Sequence, residues 1–133
     1  MSPAELPVVL VTGAARRLGR ETALALAAAG WQVAVHYRGS QADAQQTVAD
    51  CLAAGRPGAP CAAFQADLTD EAATRALLPR VAAHFGRVDA VVNNASLFEH
   101  DDAASFGHAA LQAHMATNLA APVLLAQALH THV

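Results

Sequence analysis

The stretch that decides the fold is residues 6–19, Leu-Pro-Val-Val-Leu-Val-Thr followed by Gly-Ala-Ala-Arg-Arg-Leu-Gly. Its first seven residues are mostly apolar and rich in valine, which predicts a fully buried strand over Leu6–Thr12. From Leu18 to Ala29 the apolar residues recur with a period of 3.6, with Leu18, Ala25, Leu26 and Ala29 on one face. Gly30 follows at the position where helices commonly stop, so the sequence predicts a strand, a glycine-containing loop and a helix in succession.

The loop between this strand and helix has the composition of a phosphate-binding turn. Gly13 permits a tight turn, Gly19 permits a close approach of helix to strand, and free N–H groups at a helix start can hold phosphate. Arg16, Arg17 and Arg20 place positive charge at a helix N-terminus, which costs about 0.3–1 kcal/mol each unless an anion lies there. We expect Arg17 to face such an anion, while Arg16 and Arg20 either face it too or point into solvent.

Outward from this unit, strand-like and helix-like segments alternate to the C-terminus. Further strands are predicted at Gln32–Tyr37, Cys61–Ala66 and Val88–Asn93, and further helices at Ala42–Ala54, from the Asp67–Asp70 turn to about Phe85, and from about Gly107 onward. This β-α-β-α-β-α-β-α order implies an α/β fold, a three-layer doubly wound parallel sheet of the Rossmann type. With the first strand central, strand order reverses between the first and fourth strands, and ligands bind beyond the carboxyl ends there.

Composition narrows the class of protein. The chain has 133 residues, enough for one domain, and 54% of them are hydrophobic, which indicates a substantial core rather than disorder. A net charge of −3 argues against a broad nucleic-acid-binding face, and no apolar run is long enough to span a membrane. Cys51 and Cys61 lack CxxC spacing, which favours a reducing cytoplasm. The seven histidines lack metal-ligand spacing, even around residues 99–102, so no metal is expected.

The end of the second strand indicates which dinucleotide the fold would bind. Residues 36–40 read His-Tyr-Arg-Gly-Ser and contain no carboxylate. An acidic residue here usually meets a free ribose 2′-hydroxyl, whereas an arginine meets a 2′-phosphate, so NADP(H) is favoured over NAD(H). Arg38 would pair with the phosphate and Ser40 would add a hydrogen bond; the alternative is that Arg38 is a solvated loop residue.

These segments together resemble a known family. The segments are TGAARRLG at 12–19, HYRGS at 36–40, Asp67-Leu68, Asn93-Asn94-Ala95-Ser96, and TNLAAP at 117–122. In this order they resemble the short-chain dehydrogenases/reductases, and within them the pteridine reductases. Arg17 and Ser96 favour the narrower group, because most of the superfamily has glycine at the first position and commonly at the second. The family's arginine is often one position later than Arg38.

The resemblance implies a set of binding residues. The cofactor would be bound by Gly13, Arg17, Leu18, His36, Tyr37, Arg38, Ser40, Asp67, Leu68, Asn93, Ala95 and Ser96. Asp67 would bond the adenine amino group with Leu68 beside the ring, and Asn93 and Ala95 would contact the ribose and pyrophosphate region. Arg17, Ser96 and Phe98 would contact the substrate. Phe98 would stack on a planar heterocycle opposite the nicotinamide, or else fill space under the loop as a hydrophobic plug.

The last helix carries a polar residue on an apolar face. Steps of four and three residues place on one side Leu111, Met115, Asn118, Pro122, Leu125 and Leu129. Asn118 is therefore expected to be buried, and Pro122 cannot donate to the Asn118 carbonyl. The resemblance implies a catalytic role for Asn118 in an Asn-Ser-Tyr-Lys proton relay; the alternative is an asparagine that fixes packing register beside a proline kink. The same face is expected to form a dimer or tetramer interface.

The rest of the relay is not in this sequence. The eight basic residues are all arginines and Tyr37 is the only tyrosine, so the family's YxxxK pair is absent and the chain alone is expected to be inactive. We expect residues 1–133 to be the NADP(H)-binding portion of a single-domain cytoplasmic reductase of about 250 residues. It would transfer hydride to a small molecule, a pteridine, with no nucleic-acid or membrane partner. The alternatives are a carbonyl or 3-oxoacyl-type reductase, and a non-catalytic dinucleotide-binding module.

Overall fold

The computed structural model describes residues 2–97 and 102–133. After a 3-10 turn at Pro3–Glu5, the strands are β1 Val8–Val11, β2 Gln32–Tyr37, β3 Cys61–Gln65 and β4 Ala90–Val92. The helices are α1 Arg17–Ala28, α2 Gln41–Ala54, α3 Glu71–Phe85, α4 His108–Met115 and α5 Ala121–His132, with a π-helical segment at Ala116–Ala120. The predicted alternation is confirmed, and β2 has the predicted bounds.

The four strands form one parallel sheet in the order β3-β2-β1-β4. Val9 of β1 pairs with Val33 of β2 on one side and with Ala90 of β4 on the other. The predicted central position of β1 is therefore confirmed. Strand order reverses between β1 and β4, where the loops that follow these two strands meet.

Helices cover both faces of the sheet, because the side chains of β1 alternate between two apolar clusters. Val8 and Leu10 pack with α3 and α5 residues such as Leu77 and Leu125. Val9 and Val11 pack in the other cluster, whose remaining members include Ala23, Ala27, Ala44 and Cys51 of α1 and α2. All four β1 residues are buried, which is why this strand reads as a continuous apolar run.

The inward face of α1 differs from the expected one. The buried residues are Gly19, Ala23 and Ala27, whereas Leu18 is 72% exposed. The predicted face of Leu18, Ala25, Leu26 and Ala29 was therefore wrong in phase, although the helical period was right. Small side chains allow the backbone of α1 to lie close to the sheet, and a leucine cannot occupy that narrow space.

The final helical region is interrupted rather than continuous. The Ala121 N–H bonds the Ala116 carbonyl, five residues back, immediately before Pro122. The wider turn rotates the upstream face, so Leu125 is buried while Leu111 and Met115 are exposed. Asn118 lies in the π-helical segment and is exposed, so the expectation that it is buried was wrong.

Two findings concern membranes and metals. Within residues 2–97 and 102–133, none of the helices has both the length and the hydropathy needed to cross a bilayer. The same residues contain no group of three histidine, cysteine or acidic side chains placed to hold a metal ion.

Candidate functional site

A cleft of about 520 Å³ lies at the carboxyl ends of the strands, on the side where strand order reverses. Its walls come from the loops after β1, β3 and β4 and from the end of β2. Every predicted cofactor residue except Asn93 lines it: Gly13, Arg17, Leu18, His36, Tyr37, Arg38, Ser40, Asp67, Leu68, Ala95 and Ser96. Asn93 is exposed, and its neighbour Asn94 lines the cleft instead. Phe98 lies outside the described residues.

The glycine loop, residues 12–19, is braced by the turn after β4. The Thr12 hydroxyl accepts hydrogen bonds from the Asn94 N–H at 3.0 Å and the Ala95 N–H at 2.9 Å. The Asn94 side chain donates to the Gly13 carbonyl at 3.1 Å. Thr12 was not singled out in the sequence, because a threonine that ends a strand has no distinctive signal until its partners are known.

The two loop glycines stand where no side chain fits. Gly13 has φ of +62°, and a Cβ there would lie 2.9 Å from the Ala95 Cα. A Cβ on Gly19 would collide with the Gly13 carbonyl oxygen and the Asn94 side chain. The tight turn at Gly13 and the close helix approach at Gly19 are both confirmed.

His36 closes the loop from the other side. Its Nδ1 accepts from the Gly13 N–H at 2.9 Å, so Nε2 carries the ring hydrogen and donates to the Ala66 carbonyl at 2.9 Å. Burial lowers the pKa of His36, and the charge of Arg80 lowers it further, against the opposing effect of the Ala66 bond. The neutral ring therefore links the ends of β1, β2 and β3, with both nitrogens engaged inside the protein.

The three loop arginines have different surroundings. Arg17 lines the cleft with φ of 57°, a left-handed conformation that costs a side-chain-bearing residue about 1–2 kcal/mol. Arg16 also lines the cleft and lies 3.6 Å from the Asp43 carboxylate. Arg20 instead pairs with Asp50 and Thr47 of α2, so neither role expected for Arg20 is observed.

Mixed charges occupy the corner between β2 and β3. The Arg38 guanidinium Nε lies 3.8 Å from Asp67 Oδ1, which also accepts from the Thr69 hydroxyl at 2.7 Å and the Thr69 N–H at 2.9 Å. These Thr69 bonds, with the charge of Arg38, lower the pKa of Asp67. Ser40 precedes α2 without a side-chain capping bond to the helix. This corner can therefore accept an anion at Arg38 and the start of α2.

Asn118 fixes the start of the loop after β4. Its side-chain oxygen accepts from the Leu97 N–H at 2.8 Å, and its side-chain nitrogen donates to the Leu97 carbonyl at 2.8 Å. This pair of hydrogen bonds holds the backbone next to Ser96, which lines the cleft. Thr117, which is buried and lines the same cleft, was not identified from sequence as a site residue.

Comparison with known proteins places this fold and cleft in a family. A family model described as short chain dehydrogenase matches residues 7–133, and the chain belongs to this family. Pteridine reductase 1 from Leishmania tarentolae is 44% identical over 109 residues, covering 69% of this chain and 37% of that protein. The 3-oxoacyl-acyl-carrier-protein reductase FabG from Staphylococcus aureus is 41% identical over 88 residues, covering 66% of this chain and 35% of that protein.

Solved structures agree on the fold. A short chain dehydrogenase from Burkholderia cenocepacia in complex with NADP has a TM-score of 0.89 and 35% identity, covering 96% of this chain and 51% of that one. FolM alternative dihydrofolate reductase 1 from Brucella suis, also in complex with NADP, has a TM-score of 0.82 and 31% identity, covering 98% and 52%. The chain thus spans about half the length of these structures.

Proposed function

We propose that the chain is the NADP(H)-binding portion of a short-chain reductase. The observation that carries this proposal is the Arg38 guanidinium, which lies beside Asp67 and lines the same cleft as the glycine loop and the start of α1. The helix start offers unpaired N–H groups to a pyrophosphate, and Arg38 offers a cation to a 2′-phosphate. The family relationship and the NADP complexes of the structural neighbours support the same cofactor.

The residues of the cleft fit this cofactor in shape as well as charge. Gly13 and Gly19 let the glycine loop, α1 and the turn after β4 pack closely around the cleft, and Leu68 provides an apolar surface for an adenine ring. Bound NADPH would supply a hydride to the substrate. The chain's own residues would bind and orient the dinucleotide, and Asn118 would hold the loop beside the substrate through Leu97.

Arg38 gives the direct test. Replacing Arg38 with Gln is expected to weaken NADPH binding about tenfold and to leave NADH binding nearly unchanged, because a charge-assisted contact with the 2′-phosphate is lost. The measurement is calorimetric titration with each dinucleotide. Arg75→Gln, which removes an exposed arginine paired with Glu71 on α3, is the matched control and should bind NADPH as the original chain does. Equal losses for both dinucleotides in Arg38→Gln would argue against this assignment.

The proposed substrate class is a pteridine. Arg17 and Ser96 both line the cleft, and Arg17 occupies a conformation that glycine would adopt without strain. A residue that costs conformational energy is best explained by a role of its side chain at the site. The relationship to pteridine reductase 1 supports this class, and the similar identity to FabG keeps a 3-oxoacyl-type reductase as the second candidate.

Binding to the NADP⁺-saturated chain separates these candidates. We expect a dihydropterin to bind and an acetoacetyl thioester not to bind. Arg17→Gly should weaken pterin binding about tenfold through loss of a charged hydrogen bond. The free energy of unfolding should change by less than about 1 kcal/mol, because relief of the left-handed strain offsets the greater entropy of glycine. Binding of the thioester alone would favour the 3-oxoacyl-type activity.

A further inference from the structure

Thr47 lies beneath the glycine loop, although it is not one of the residues proposed to contact the dinucleotide. It is on the inner face of α2 and is 0% exposed. Its hydroxyl lies 3.0 Å from the Ala15 carbonyl oxygen of the loop and 3.1 Å from Nη1 of Arg20 on α1. One side chain therefore joins α2, α1 and the glycine loop.

The direction of these hydrogen bonds is fixed by their chemistry. A guanidinium only donates, so Arg20 donates to the Thr47 oxygen and the hydroxyl hydrogen is left to bond the Ala15 carbonyl. Asp50 in turn accepts from Arg20, and from Gln46 at 2.9 Å. These two bonds hold the pKa of Asp50 below its usual range and keep it charged. Arg20 thus donates on one side to Asp50 and on the other to Thr47, and Thr47 in turn donates to the Ala15 carbonyl of the loop.

The bond to Ala15 orients a peptide group at the cleft. Ala15 and Arg16 line the cleft, whereas Thr47 does not. In a trans peptide the carbonyl and the following N–H point in opposite directions. Anchoring the Ala15 carbonyl on α2 therefore directs the Arg16 N–H away from α2 and keeps the negative end of this peptide dipole away from a bound anion.

We propose, on the basis of the proposed NADP(H)-binding function, that Thr47 is a positioning residue for the cofactor pyrophosphate, held in place by Arg20 and Asp50. It acts through the backbone of the glycine loop and does not contact the cofactor. Arg20 is part of this support and not an anion ligand. This role accounts for the pairing of Arg20, in the first turn of α1, with the Asp50 carboxylate.

The test compares three threonine variants by titration with NADPH. Thr47→Val keeps the shape but removes the hydroxyl, and should weaken NADPH binding about tenfold, since a buried carbonyl loses its partner. Thr47→Ser keeps the hydroxyl and should restore binding to within about twofold. Thr74→Val is the matched control, because Thr74 is also buried but its hydroxyl bonds the Asp70 carbonyl within the α3 region. It should bind NADPH as the original chain does.

A second variant tests the support while leaving Thr47 itself in place. Arg20→Met combined with Asp50→Asn removes the ion pair at unchanged net charge, and should weaken NADPH binding about threefold because the hydroxyl is no longer directed. The inference is overturned if Thr47→Val binds normally, if Thr47→Ser is as weak as Thr47→Val, or if Thr74→Val is equally weak. If the original chain does not bind NADPH at all, the proposed function fails instead.

Discussion

His36 shows how a single residue can link the site to pH. Its neutral ring accepts from the Gly13 N–H, and protonation of Nδ1 would remove that bond. Because the fold lowers the pKa of His36 below its ordinary value of 6.5, the unfolded chain takes up the proton first. The stabilisation is complete above pH 6.5 and is lost as pH falls from there toward the lower pKa of His36 in the folded chain.

We expect the free energy of unfolding, measured in urea, to decrease as pH falls over this range. The decrease in unfolding free energy should be smaller in His36→Gln. The control His130→Gln, which changes an exposed histidine on α5, should show the same decrease as the original chain.

At the scale of elements, the sequence predicted those features that depend on local pattern. The bounds of β2, the stop of α3 at Gly86 with φ of +86°, and the reversal point between β1 and β4 all follow from apolar runs, glycine and chain order. Features that depend on packing were missed. The face of α1 that packs on the sheet is decided by the narrow gap between helix and sheet. That face therefore carries alanine and glycine, and not the leucines that the sequence pattern suggested.

The same distinction holds for the cleft. The reversal of strand order predicted that the loops after the first and fourth strands meet, and both line the cleft; the segments after the second and third strands, expected there from their motifs, line it too. Asn94 lines the cleft in place of Asn93, since the strand stops at Val92 and the Asn94 side chain bonds the glycine loop. The Arg20–Asp50 pair joins residues thirty positions apart, and no local pattern identifies it. The π-helical segment that exposes Asn118 also depends on packing around Pro122.

At the scale of the whole molecule, the exposed apolar side chains predict self-association. Along α4, the π-helical segment and α5, four apolar side chains recur every four residues and are between 41% and 58% exposed: Leu111, Met115, Leu119 and Val123. This set replaces the expected interface face, of which only Leu111 and Met115 remain. Burying a fully exposed side chain of this size contributes about 1.5–3 kcal/mol, so these half-exposed side chains would contribute roughly half as much each to the packing of a second copy. Sedimentation velocity should show a concentration-dependent dimer or tetramer, weakened about tenfold or more by Leu119→Gln. Leu52→Gln changes a leucine of similar exposure on α2 and should leave association unchanged. A chain that stays monomeric at every concentration, or an equal loss in both variants, would show that this surface is not the interface.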